Sequence, residues 1–118
     1  MTDQRFLPEH HVRRGADFQR AYRRRCRASD DLLLVFGCPN GLPYPRLGLS
    51  VSRAKGNAVA RNRWKRLIRE AFRLSREQLP TGIDLIVIPC GGKPELAALQ
   101  ESLCRLAQRL AEKLGGVV

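Results

Sequence analysis

Apolar positions along the 118-residue chain fall into six stretches of distinct period, and each predicts an element. Phe18 and Tyr22, four apart and therefore on one side of a helix, predict a short helix over residues 15–25. Residues 32–36 read as a strand, ended by the turn-forming run Cys38-Pro39-Asn40-Gly41-Leu42-Pro43. Over residues 46–53 the alternation is complete, with Leu47, Leu49 and Val51 on one face and Arg46, Gly48, Ser50 and Ser52 on the other. Lys55-Gly56-Asn57 breaks that strand, and a helix is predicted over residues 58–79, stopped by Pro80. Residues 83–88 are apolar at nearly every position, as a strand covered on both faces requires. The turn Gly91-Gly92-Lys93-Pro94 leads into a last helix over residues 95–114, with Gly115 and Gly116 behind it. Leu96, Leu99, Leu103, Leu106 and Leu110 form one stripe on that helix, the spacing of a face packed on a sheet. The order helix, strand, strand, helix, strand, helix predicts one α+β domain, a sandwich of a sheet and helices. Residues 1–12 are expected to form a flexible arm in which His10 and His11 are solvated, because adjacent side chains do not share a helix face.

Charge changes this picture more than composition does. A hydrophobic fraction of 43% is ordinary for a globular chain, so disorder is not expected. Twenty-two Lys and Arg oppose eleven Asp and Glu, for a formal charge of +11, and most of the cations are arginine. Such an excess raises the local concentration of anions, and guanidinium forks suit phosphates and bases better than a simple anionic surface. No apolar run approaches the ~18 residues of a membrane span, and the first eight residues lack a signal-like apolar core. Cys26, Cys38, Cys90 and Cys104 show no C-x-x-C spacing, which reads as reduced packing residues in a cytoplasmic protein, not as zinc ligands.

The cations concentrate on the predicted long helix. Between Arg53 and Arg76 nine basic residues accompany one acidic residue, Glu70. Arg61, Lys65, Arg69, Arg73 and Arg76 follow one line, flanked by Asn62 and Arg66, while Trp64, Leu67, Ile68, Ala71, Phe72 and Leu74 take the other side. Arg63 falls away from both, near Glu70, in a flanking or intramolecular role. A solvated charged face normally mixes its signs. Here like charges at i, i+4 each cost a few tenths of a kcal/mol (about 0.2–0.5) unless an anion neutralises them, which favours a polynucleotide. The preceding strand adds Ser50 and Ser52 with Arg46 and Arg53 at its flanks, and Arg13, Arg14, Arg20, Arg23, Arg24, Arg25 and Arg27 surround Phe18 and Tyr22. Two roles are open for that aromatic pair: with Phe36 they form stacking platforms for unpaired bases, or they are core.

Catalytic chemistry is missing. Asp30 and Asp31 are adjacent and cannot clamp one metal from the same face of a strand, and Asp84 stands alone in an apolar strand. Neither G-x-x-x-x-G-K-[ST] nor G-x-G-x-x-G occurs, and Ser50 and Ser52 have no His/Asp partner near them in sequence. The chain is expected to bind, not to catalyse by itself.

Residues 46–53 (RLGLSVSR) and 56–73 (GNAVARNRWKRLIREAFR), with Asp17-Phe18, Tyr22, Phe36 and Leu79-Pro80 ahead of Asp84, closely resemble the protein subunits of bacterial ribonuclease P. The resemblance implies a fold like the second domain of ribosomal protein S5, with a left-handed βαβ crossover against the usual rule. It implies a 1:1 complex with a catalytic RNA that cleaves precursor tRNA using Mg²⁺, held mainly by that RNA and by no protein side chain. Arg61, Asn62, Arg63, Lys65, Arg66 and Arg69 are then the residues that dock on the catalytic RNA, with Arg53, Lys55, Asn57 and Arg73 extending the contact. Phe18, Tyr22, Phe36 and Ser52, joined by Arg46 and Ser50, form the cleft for the single-stranded 5′ leader. The chain departs from the family pattern at Arg53-Ala54-Lys55, where paired lysines and then an apolar residue are usual, and at Trp64, where a smaller aliphatic residue is usual. A structural ribosomal-type protein or an RNA chaperone is the alternative reading. A helix-in-groove DNA regulator would need a helix-turn-helix, which the pattern does not contain.

Overall fold

A computed structural model of the chain describes residues 8–115. Four strands form one sheet: β1 (Arg27–Ser29), β2 (Leu33–Pro39), β3 (Arg46–Leu49) and β4 (Ile83–Pro89), in spatial order β1-β2-β4-β3. β2 runs antiparallel to both β1 and β4, whereas β3 and β4 are parallel. That parallel pair is joined by the helix α2 (Ala58–Ser75), so β3–α2–β4 is a crossover unit. Helices α1 (Gly15–Arg24) and α3 (Leu96–Lys113) complete an α+β domain, as the periodicity predicts.

The sheet divides two cores. Leu33 and Val35 of β2, Leu47 of β3, and Ile83, Leu85 and Val87 of β4 pack against Trp64, Ile68 and Phe72 of α2 and the Leu99, Leu103, Leu106 and Leu110 stripe of α3. On the opposite face Val12, Ala21 of α1, Cys38 and Ile86 form a smaller cluster. β4 is therefore covered on both sides, which explains its unbroken apolar run. Trp64 is absorbed into the larger core at 4% exposure.

Several elements differ from the sequence expectation for identifiable reasons. β1 is only three residues long, too short for alternation to register. β2 continues through Pro39, into the predicted turn, because Gly37 N–H points toward the β1 side at Cys26 O and Pro39, two residues on, points the same way past the end of β1. β3 stops at Leu49, residues 50–52 lie outside any regular element, and a 3₁₀ turn follows at Arg53–Lys55. α2 tightens into a 3₁₀ turn at Arg76–Gln78 before Pro80.

The expected arm needs correction. Residues 1–7 lie outside the described residues, but residues 8–12 are docked. His11 bridges Leu47 in parallel, and Val12 N–H donates to Leu47 O at 2.9 Å, so this segment satisfies the open edge of β3. His10 is buried at 6% exposure, set edge-on to Tyr44 with centroids 5.6 Å apart, and Arg76 donates to its Nδ1 at 3.1 Å.

Nor is Asp84 alone. Fully buried, it accepts from Arg46 Nε at 2.8 Å and Nη2 at 2.7 Å, from Asn40 at 3.0 Å and from Arg20 at 3.2 Å. The hydrogen bond to Asp84 in turn raises the Arg46 pKa above its ordinary value. This network joins α1, β3, β4 and the β2–β3 loop. Asp30, likewise, caps the β1–β2 turn at Leu32 and Leu33 N–H (both 2.8 Å) and receives Ser102 at 2.5 Å and Arg105 at 2.7 Å from α3. Burial raises the Asp30 pKa, but the bonds from Ser102, Leu33, Leu32 and Arg105 outweigh it and hold the group at about 2.

Two stability predictions follow from these carboxylates. Arg46→Ala strands buried charge and should cost about 3 kcal/mol in urea unfolding, while the folded variant keeps its RNA affinity. A loss of RNA affinity with stability intact would place Arg46 in the interface instead. Asp30→Asn should cost about 1–2 kcal/mol at neutral pH. Because the folded Asp30 pKa lies below the unfolded one, its contribution is complete above about pH 5 and fades as pH falls toward 2. The variant's acid-unfolding curve should accordingly be flatter there than the parent's.

Candidate RNA interface

Position and capping fix the start of α2. Gly56 adopts φ 115°, and a Cβ there would meet Ala60 Cβ at 2.9 Å, so glycine is required. Asn57 is the N-cap, its side-chain oxygen accepting from Ala60 N–H at 2.9 Å. Sequence reasoning read Asn57 as a turn residue and an RNA contact and missed this capping role. Ser52 and Arg53 just before it are exposed, and Lys55 is half-buried.

The exposed face of α2 is rotated from the predicted line. Asn62, Arg63, Arg66 and Arg69 are the exposed polar residues, and with Val59 (77% exposed) they line a concavity of about 500 Å³. Arg61, Lys65, Arg73 and Arg76 are only half-exposed. Arg76 bonds to His10 of the docked N-terminal segment, and His11 lies near enough to Arg69 to feel its charge. Desolvation first, then Arg13, Arg69 and His10, lowers the His11 pKa.

Glu70 pairs with Arg73 one turn on, not with Arg63, and this bond lowers the Glu70 pKa. Arg61, Arg63, Lys65, Arg66 and Arg69 have no carboxylate within 4.0 Å among the described residues. Arg61 Nε is enclosed and has no hydrogen-bond partner among the described residues. Sequence reasoning also missed Lys93, which faces Arg63, Lys55 and the Trp64 edge across a second concavity of about 590 Å³. Its only sequence signal is a cation in a turn, and nothing local links that turn to α2.

On the other side of the sheet three registered rows order the cleft residues. Cys38, Asp84 and Arg46 form one row and Phe36, Ile86 and Gly48 the next; Leu34 and Ile88 lie beyond, with Ser50 N–H bonded to Val87 O at 3.1 Å at their end. Phe18 crosses over Gly48, where a Cβ would come within 3.0 Å of its ring and 2.6 Å of Ile86. Tyr22 and Phe36 meet edge to face with centroids 5.0 Å apart. All three rings are half-buried: they pack on the small core yet keep accessible surface. The rings are therefore part of the small core and at the same time partly accessible. Phe18, Tyr22 and Phe36 are brought together, with Ser50 half-exposed and Ser52 exposed at one end. Arg46 is not part of that group. It lies two rows from Ser50, with Phe18 over the intervening glycine, and its guanidinium serves Asp84.

Comparison with known proteins places this arrangement. The family model described as Ribonuclease P matches residues 6–111. The ribonuclease P protein component of Methylococcus capsulatus is 45% identical over 84 residues, covering 70% of this chain and 65% of that protein. The component from Desulfovibrio desulfuricans is 39% identical over 111 residues, covering 89% of this chain and 85% of its own length. Among solved structures, the RNase P protein of Staphylococcus aureus superposes with TM-score 0.73 at 33% identity, over 87% of this chain and 95% of that one. The Thermotoga maritima RNase P protein gives TM-score 0.76 at 30% identity, over 84% and 96%. The family match over residues 6–111, the curated relatives and the solved structures agree, and the chain belongs to the ribonuclease P protein family.

Proposed function

We propose that this chain is the RNA-binding subunit of a cytoplasmic ribonucleoprotein that removes the 5′ leader from precursor tRNA. The observation that carries the reading is the pairing of five α2 cations, which have no carboxylate within 4.0 Å among the described residues, with a half-open aromatic cleft across the sheet. Arg61, Asn62, Arg63, Lys65, Arg66 and Arg69 contact phosphates of a catalytic RNA in a 1:1 complex, with Arg53, Lys55 and the Asn57 amide at the border. Arg73, shared with Glu70, contributes less. Neutralisation by this face releases counterions and lowers the Mg²⁺ the folded RNA requires.

Phe18, Tyr22 and Phe36 stack unpaired bases of the leader, with Ser50 and Ser52 on its backbone. Binding energy from the leader, remote from the reacting bond, then favours precursor over mature tRNA. Among the described residues no three His, Cys, Asp or Glu side chains cluster as a metal cage, and Glu70, the lone carboxylate of α2, is held by Arg73. In this reading Mg²⁺ is held mainly by RNA phosphates, and the protein contributes binding while the RNA carries the chemistry.

Cleavage of precursor tRNA by ribonuclease P RNA at low Mg²⁺ should be stimulated by this protein, which a structural protein or chaperone without a processing role would not do. Phe18→Ala should weaken precursor binding by about 1–3 kcal/mol and leave mature tRNA unchanged. Equal loss for both tRNAs would contradict the cleft assignment.

A further inference from the structure

A second cation cluster stands where α1 ends, away from α2. Arg23, Arg24, Arg25 and Arg27 are all exposed, and none has a carboxylate within 4.0 Å among the described residues. One or two cations suffice to complement a helix C-terminus. Here the cluster continues past it, and Arg25 occupies the left-handed position (φ 58°) that glycine normally takes.

The register ties this cluster to the cleft. Arg27 pairs across from Phe36, and Ala28 faces the larger core, so Arg27 projects on the aromatic side. One row therefore crosses the sheet as Arg27, Phe36, Ile86 and Gly48 beneath Phe18. Phe18 lies over β3, the edge strand that leads into α2, and the arginines lie at the far edge on β1.

Resting on the leader-cleft reading above, we infer that Arg23, Arg24, Arg25 and Arg27 bind phosphates of the distal leader. A strand leaving the catalytic RNA at α2 meets Phe18 first, then the Tyr22–Phe36 pair, and the arginines last. These arginines make precursor affinity depend on leader length.

The test compares holoenzyme reconstituted with R23Q/R24Q/R25Q/R27Q protein and with parent protein, on precursors with leaders of about two and about ten nucleotides. With the long leader the variant should bind about 10-fold more weakly, and the salt slope should fall by about two to three, near 0.7 per lost single-strand contact. With the short leader it should equal the parent. The same loss at both lengths would assign the arginines to the catalytic RNA or the tRNA body, and no loss at either would make them a solvated cluster; each overturns the inference. F18A measured alongside separates the readings, because loss of precursor preference in F18A with none in the arginine variant leaves the cleft intact and removes only its extension. Urea unfolding of the quadruple variant should match the parent, so that lost affinity is separated from lost structure.

Discussion

Uncompensated charge on α2 is the constraint around which the molecule is arranged. Five cations on one helix repel one another, and among the described residues no carboxylate lies within 4.0 Å of them. Burial of Trp64, Ile68, Ala71 and Phe72 holds the helix in place regardless. Each fully buried large apolar side chain is worth about 1.5–3 kcal/mol, against a few tenths for each like-charge pair, so packing wins and the charged face is carried as a standing demand for anions.

Four other arginines do find carboxylates within the protein. Arg46 and Arg20 serve the buried Asp84, Arg105 serves Asp30, and Arg73 serves Glu70. Asp84 joins three elements and the β2–β3 loop, and so sets α1 across the sheet with Phe18 above Gly48. The cleft is thus positioned by an ion-pair network that has no need to touch RNA itself. β4, apolar on both faces apart from that carboxylate, lets one thin sheet carry the cleft on one side and the basic helix on the other.

Much of this was legible in sequence where the signal is local. The period of 3.6 located three helices, alternation sorted Leu47, Leu49 and Val51 from Gly48 and Ser50, and the apolar run of β4 announced coverage on both faces. What was illegible depends on distant partners. Asp84 finds Arg46 and Arg20 from 38 and 64 positions away. Residues 8–12 carry no apolar period and become ordered by the open edge of β3, which sequence alone does not display. Their docking beside α2 also explains the rotated exposed face, since Arg76 is turned toward His10. Asn57 and Gly56 read as turn residues in sequence, but only the backbone angles reveal the cap.

The affinity of the protein for ribonuclease P RNA, measured across a series of monovalent salt concentrations, tests the central claim most directly. Five unneutralised α2 cations predict a steep fall, with a slope of log affinity against log salt of about −4 to −5. A slope of about −1 or shallower would mean that the charge on α2 is satisfied by something other than a polynucleotide.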